Sequence, residues 1–496
     1  MTRLLPERAA HRVGAVAAAV LALALAGCAD MGAIPANPAL QTAETLGLAT
    51  PAAAVSAVPA APALDSQWWL AFGDPQLDAL VAQAVEGNPN LQIARARLAR
   101  AQASVSIAQA ADKPQVNGSL DLTRQKFSEN YIYPAPLGGS VQETGTLQLG
   151  ASWELDFFGK NRTALEAALG TANAAAAEAD AARVMLSGNV ARGYVQWARL
   201  NDRLVVAERA LAQREELLRL VRDRVSAGLD TRLQLKQSES SVPEARQQIE
   251  ALQEQIEIAR HALDALVAKP NATQSLAPPR LEKLKAMALQ QTIPADLLGR
   301  RADIAAARWR VEAATSDVAN AKTQFYPNVN LVAFAGLQSI GFDNLLKSSS
   351  QMWGVGPAIR LPIFEGGKLR ANLRGKSADL DAAIESYNAT VFDAVREVAD
   401  QLSSVQSVAR QQVQQREAQA AAEAAYDIGL QRYSAGLGNY LDVLTAEVTV
   451  LAQRRDGVDL AARALESQVG LARALGGGWQ PPDSIHAAAT PAARQP

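Results

Sequence analysis

The chain has 496 residues and a formal net charge of −2, with 49% hydrophobic but only 5% aromatic side chains. A near-neutral balance with no dense basic cluster in the body gives no field that would gather nucleic acid. Alanine-rich apolar content with so few aromatics points to long helices rather than a large aromatic core, and a single cysteine excludes an internal disulfide.

Arg3, Arg8 and Arg12 precede an apolar run from Val13 to Ala26, and the run closes on Leu25-Ala26-Gly27-Cys28. A basic start, a short apolar core and small residues describe a secretion signal over 1–27. The run is too short for a comfortable membrane helix, which needs ~20 apolar residues. Cys28 stands directly after the expected cut, and the Ala/Pro-rich residues 28–64 read as a flexible tether. The segment DSQWWLAFGD (65–74) gathers two tryptophans and a phenylalanine, expected to pack the end of the tether onto the body.

A first repeat is expected over 65–268. Helix starts at Pro75, breaks at Asn88-Pro89-Asn90 and ends before Pro114, since a proline disfavours helix in the residue before it. Strict alternation follows: Val116, Gly118, Leu120 and Leu122 against Asn117, Ser119, Asp121 and Thr123, then Leu147, Leu149, Ala151, Trp153 and Leu155 against Gln148, Gly150, Ser152 and Glu154. This predicts a β-hairpin over about 115–157 with one apolar and one polar face. From Thr163 to Ala227 no proline interrupts, and a helix of that length is about 98 Å long at about 1.5 Å per residue. Val190, Trp197, Leu204, Leu211, Leu218 and Val225 fall every seventh position; the companion row of Leu200, Ala207 and Val221 is interrupted by Arg214. Leu235, Val242, Ile249, Ile256 and Leu263 continue heptads in a return helix over 231–268. Heptad seams need partner helices, so antiparallel helical hairpins are expected.

Residues 269–293 link to a second repeat, 294–475. RVSAGLDTRLQLKQSE (224–239) aligns with RYSAGLGNYLDVLTAE (432–447) at a constant offset that also brings Gly159-Lys160 onto Gly367-Lys368. Pro114-x-Val116-Asn117 has its copy in Pro327-x-Val329-Asn330. The second repeat therefore has a hairpin over about 328–364, its alternation weakened by Val332 and Phe334, a long helix over 368–435 and a return helix over 439–475. Residues 476–496, rich in Gly, Pro and Ala, read as a loosely ordered tail. Duplicated architecture argues for a structural assembly.

The fold class is thus mainly α with a small β part. Each strand has the length of a tilted transmembrane strand, but four cannot close a membrane barrel when the smallest need about eight. An open edge in lipid is not allowed, so several chains would have to share one barrel. Candidate chemistry is thin. His11 and His486 lie in the terminal segments, His261 reads as a solvated helical residue, and no Ser-His-Asp set, CxxC or HExxH spacing occurs. Gly366-Gly367-Lys368 lacks phosphate-loop spacing and reads as a strand-to-helix corner. No enzyme activity, cofactor or metal is expected. The competing readings, a soluble periplasmic coiled-coil adaptor or structural protein and a secreted enzyme, lack respectively a use for the alternating strands and a set of catalytic residues.

The LAGC run resembles a bacterial lipobox, which implies lipidation at Cys28. By that resemblance an aspartate directly after the cysteine would favour inner-membrane retention; because Ala29 stands there and Asp30 comes one later, the outer membrane is favoured. WWLAFGDPQLDALVAQAVEGNPNLQIARARL (68–98), FYPNVNL (325–331), LPIFEGGKLRANL (361–373) and RYSAGLGNYLDVL (432–444) resemble the TolC-like outer-membrane efflux factors, with the lipid-anchored NodT-like branch most similar. The resemblance spans roughly 65–475. It implies a homotrimer with a shared twelve-stranded barrel in outer-membrane lipid, an α-barrel tunnel in the periplasm, and partners in a periplasmic adaptor protein and an inner-membrane pump. Drugs, toxic compounds or other small molecules would pass through. Gly228, Leu229, Gly436 and Leu437, in the turns between long and return helices, are the expected adaptor contacts. Asp230, Arg232, Asn439 and Tyr440 are the expected periplasmic constriction. In the family's best-known pattern a tyrosine and an arginine near the second turn pair with an aspartate to hold the closed state. Tyr433 matches the tyrosine, but Gly438 and Gln234 stand at the arginine and aspartate positions, so the lock must use other residues.

Overall fold

The computed structural model describes residues 31–32, 37–46, 64–287 and 297–481; the expected signal and Cys28 lie outside them. The elements run α1 (Pro75–Gly87), α2 (Pro89–Ala111), β1 (Gln115–Lys126), β2 (Val141–Leu155), α3 (Lys160–Ser226), α4 (Arg232–Val267), α5 (Ala302–Thr323), β3 (Asn328–Ile340), β4 (Gln351–Arg360), α6 (Lys368–Ser434) and α7 (Tyr440–Ala474). The two long helices, α3 and α6, have the same length of 67 residues. The described residues divide into two compact units.

One unit holds Leu98–Ala175 and Ala307–Tyr387. Its four strands form one antiparallel sheet in the order β1-β2-β3-β4, so the two hairpins join through β2 and β3. Every residue of β1 is exposed, because this edge strand has no second layer over either face. Beside the sheet, α5 lies close to α3. A side chain at Gly170 would meet the backbone and Cβ of Ala313 at 3.0 Å, so the small residues let two helix backbones approach. Asn320 donates to the Lys160 carbonyl at 2.7 Å and Lys376 pairs with Asp317 at 2.9 Å. Lys160 pairs with Glu154 at the β2–α3 corner, where Gly159 takes a positive φ, and this is the turn role expected of the Gly-Lys runs.

The other unit holds Gln41–Arg97, Ala176–Ala306 and the residues from Asn388 on. Asp74 caps α1 by accepting from Gln76 N at 2.9 Å, and Pro75 supplies a first turn that needs no N–H. Trp68, Phe72, Leu77, Leu80, Val190, Tyr194, Trp197 and Leu263 build its main core, each worth about 1.5–3 kcal/mol on full burial. The tryptophan segment is therefore core. Tyr194 fixes it further by donating to Asp74 at 2.8 Å.

Two segments are better ordered than their compositions predict. Between the repeats, Leu281, Leu284 and Met287 are buried in the main core, Arg280 pairs with Asp202, and Lys285 N bonds the Phe72 carbonyl at 3.0 Å. The tail from 476 begins as packed structure, which corrects the expectation of a loose tail for its first residues. Trp479 is buried and its indole N–H donates to Asp180 at 2.9 Å, giving this Gly-rich stretch an aromatic anchor.

Candidate functional site: the sheet face and the helical turns

Strand register sorts the side chains onto two faces. Trp153 lies opposite Leu331 and Leu331 opposite Pro357; Ala151 opposite Val116 and Ala333; Leu149 opposite Gly118 and Ala335, with Trp353 beyond; Leu147 opposite Leu120 and Leu337. All belong to one face, and its large members Val116, Leu120, Leu149, Trp353, Val355 and Ile359 are exposed. The other face carries Asn117, Ser119, Asp121, Gln148, Ser152, Glu154 and Asn330. Phe334 is an exception there: it lies across Gly354, where no side chain competes for the space. Along β2 the apolar face runs from Gly145 to Leu155, about 34 Å of strand at about 3.4 Å per residue. At a strand tilt of about 40° that gives a band about 26 Å tall, the height of the lipid-facing band of an outer-membrane barrel. Among the described residues no helix is long and apolar enough to cross a membrane.

The α3–α4 and α6–α7 turns are built alike. Leu229 N bonds Arg224 O at 2.9 Å and Gly228 N bonds Val225 O at 3.1 Å; in the second repeat Leu437 N bonds Arg432 O at 2.8 Å and Gly436 N bonds Tyr433 O at 3.0 Å. This is the Schellman closure, and its left-handed position is taken by Gly228 (φ 66) and Gly436 (φ 74). In such a closure the following residue is commonly apolar because it packs back on the helix. Here it does not. Leu229 and Leu437 are 65% and 71% exposed, and Leu233 and Leu441, each the second residue of the next helix, are 67% and 66% exposed. The second leucine of each turn was visible as an identity between the repeats, although sequence reasoning gave it no role.

Thr231 caps α4 with Gln234, whose Oε1 accepts from Thr231 N at 2.5 Å. Gln234 is therefore occupied at a helix start. The tyrosine partner is Asp230 instead: Tyr433 donates its hydroxyl to Asp230 Oδ2, and Arg224 Nε donates to the same oxygen at 2.9 Å. Arg224 also donates to the Tyr433 carbonyl at 3.0 Å, with its guanidinium 4.6 Å from the ring centroid. Burial, then Asp230, pushes the Tyr433 hydroxyl well above its ordinary pKa, so it stays a donor; the bond to Asp230 raises that of Arg224. This clasp ties the first helical hairpin to the second.

Two of the four expected constriction residues are thereby corrected. The Asp230 side chain is only 6% exposed and is used within the clasp. Tyr440 is buried beside Tyr433 and Val443, where its ring fills the core between the hairpins. Arg232 is the exposed first residue of α4, and Asn439 is exposed at the α7 cap, accepting from Asp442 N at 2.9 Å.

The family model described as Outer membrane efflux protein matches residues 80–269 and 293–477, one stretch for each repeat. The chain belongs to the outer membrane efflux protein family. The fusaric acid resistance protein FusA of Burkholderia cepacia is 41% identical over 371 residues, covering 74% of this chain and 70% of its own length. The multidrug resistance outer membrane protein MdtQ of Escherichia coli O157:H7 is 34% identical over 480 residues, 94% of this chain and 98% of its own. The crystal structure of the outer membrane protein VceC of Vibrio cholerae superposes with a TM-score of 0.79 at 36% identity, covering 83% of this chain and 98% of that one. This efflux protein is an outer-membrane channel component of an efflux system, with its helical part in the periplasm.

One further polar group of the efflux protein escaped the sequence reading. Arg214, the residue that breaks the heptad row, donates to buried Glu447 Oε1 at 2.6 Å and to the Ser241 carbonyl at 3.0 Å. Tyr426 lies alongside, its hydroxyl pushed up to about 12 by burial and then by Glu447. Residues from α3, α4, α6 and α7 thus meet in one layer.

Proposed function

We propose that three copies of this chain close a single twelve-stranded barrel and that their helices line one periplasmic tunnel. Within one copy, β1 and β4 are each paired on one side only, and four strands fall below the about eight of the smallest barrels. The chain passes small molecules, drugs or toxic compounds among them, received from an inner-membrane pump through a periplasmic adaptor. Its contribution is passage rather than catalysis. The adaptor covers Gly228, Leu229, Gly436 and Leu437, with Leu233 and Leu441 extending the contact. Arg224, Asp230 and Tyr433 hold the closed state; Arg232 and Asn439 line the constriction. Lipidation at Cys28 supplements the barrel, as the LAGC run suggests; fatty-acid label persisting in Cys28→Ser would contradict it.

The observation that supports this reading most is the pair of turns whose four leucines stay exposed where ordinary packing would hide them. Leu229→Asp combined with Leu437→Asp should leave trimer assembly and membrane insertion intact while abolishing export and adaptor crosslinking. Normal drug resistance in that variant would reduce the turns to chain reversals.

A further inference from the structure

The lipid-facing side of the sheet ends differently at its two rims. At the rim where β2 and β4 lead into the long helices, the last face positions are Leu155, Val329 and Ile359, and the corner residues beyond them include exposed Phe157, Ile363 and Phe364. No cation occupies a face position there. At the opposite rim the alternation of β1 carries on past Leu120 and Leu122 into Arg124 and Lys126, paired with Glu143 and Val141. These side chains keep the outward parity but sit one and two rows beyond the apolar band, about 7 and 14 Å along the strand.

The β3–β4 loop adds to the same rim. Leu345 is buried against Gly145 and Leu122, where its methyl groups fill the place of the absent Gly145 side chain. Leu346, 80% exposed, and Lys347 follow this seat directly in the chain. Lys347 reaches Asn344 Oδ1 at 2.6 Å. The acids of the rim are Glu143, 3.7 Å from Arg124 in a largely exposed pair, Glu129 in the β1–β2 loop beside Gly139, and Asp343 in the β3–β4 loop. An exposed pair of that kind offsets little. The outer rim therefore combines three cations with an apolar step formed by Leu122, Leu345 and Leu346.

We infer that this rim binds the phosphorylated headgroup of an outer-leaflet lipid, with Arg124, Lys126 and Lys347 on the phosphate and Leu346 on the upper acyl chain. Arginine offers a planar fork to phosphate oxygens and lysine a point charge, and both pay little desolvation at a headgroup layer. The contrast between rims supports the assignment: the same face parity meets a cationic border on one side of the membrane and an aromatic one on the other. The inference rests on the sheet spanning the outer membrane.

The test is native mass spectrometry of the full-length assembly in a neutral detergent, offered a bis-phosphorylated glycolipid, its dephosphorylated form, or inorganic phosphate. Occupancy by the phosphorylated lipid should exceed that of the dephosphorylated lipid at least tenfold and fall with added salt. R124Q/K126Q/K347Q should lose that preference while binding the dephosphorylated lipid as before. R124K/K126R should keep the preference, which guards against a folding defect, and Arg360→Gln, at the other rim and on the other face, should change nothing. Equal binding of the two lipids, an unaffected triple variant, or displacement by inorganic phosphate would overturn the inference alone. Failure to bind either lipid would overturn the membrane assignment along with it.

Discussion

Replacing Asp230 by alanine removes the carboxylate that bridges the Arg224 guanidinium and the Tyr433 hydroxyl. The carboxylate is 6% exposed and accepts two hydrogen bonds, from Arg224 Nε and from the tyrosine hydroxyl. Breaking a buried pair by deleting one partner costs about 3–5 kcal/mol, because a desolvated charge is left without its counterion. Arg224 keeps its bond to the Tyr433 carbonyl, so the lower end, about 3 kcal/mol, is the better expectation. At about 1.4 kcal/mol per tenfold, that moves a closed-to-open equilibrium roughly a hundredfold. A clasp that leaves one channel in a hundred open would then leave about half open. Single-channel recordings of the purified Asp230→Ala assembly should show larger and longer conductance, and amides of the α3–α4 turn should exchange faster. Tyr433→Phe alone should give a smaller effect, and the double variant should fall short of the sum of the two. Unchanged conductance, voltage dependence and exchange in Asp230→Ala would refute the clasp as the closing device. Strict additivity with Tyr433→Phe would show that the two residues act separately.

Glu447→Leu should destabilise the helical part by about 3–5 kcal/mol by leaving Arg214 unpaired, while Glu447→Leu with Arg214→Met should regain most of it in chemical denaturation. Burial raises the pKa of Glu466, with Asp459 adding to the shift and Arg199 and Arg192 opposing it. Its ionised form is therefore disfavoured in the fold, so Glu466→Gln should raise thermal stability at pH 7, and the gain should vanish as the pH falls below the ordinary carboxylate range of ~4. Leu149 lies near the middle row of the apolar band, so Leu149→Arg should cost roughly 2–4 kcal/mol in reversible membrane folding, whereas Gln148→Arg on the other face should be mild.

The strands, the long helices and their duplication were legible because each leaves a periodic trace: period two in Leu147 to Leu155, heptads from Val190 to Val225, and the twin Ser-Ala-Gly-Leu turns. The clasp left no such trace. It joins Asp230 to a tyrosine 203 positions away; these two have Gly438 and Val225 as counterparts in the other repeat, and only Arg224 is an identity, with Arg432, so a search for identities between repeats does not find the pairing. Arg214 stood out as a break in the apolar row, but its partner lies 233 residues on. Glu447 is identical between repeats, yet its counterpart Glu239 is a surface residue bonded to Lys236, so identity alone did not separate a core acid from a solvated one. Tyr440 was misjudged from its hydroxyl. Its spacing to Val443, Val450 and Leu451 on the inner stripe of α7 was the signal that it belongs to the core.

The most direct test of the shared barrel is a crosslink between its two open edges. In a Cys28→Ser background, cysteines scanned along β1 from Val116 to Leu122 and along β4 from Trp353 to Ile359 should include pairs that oxidise in outer-membrane fractions. Each such pair joins β1 of one copy to β4 of the next, and the product should run as a covalently closed ring of three chains. Strands that form no crosslink between copies while the protein still conducts, or a ring of any other number, would contradict the account.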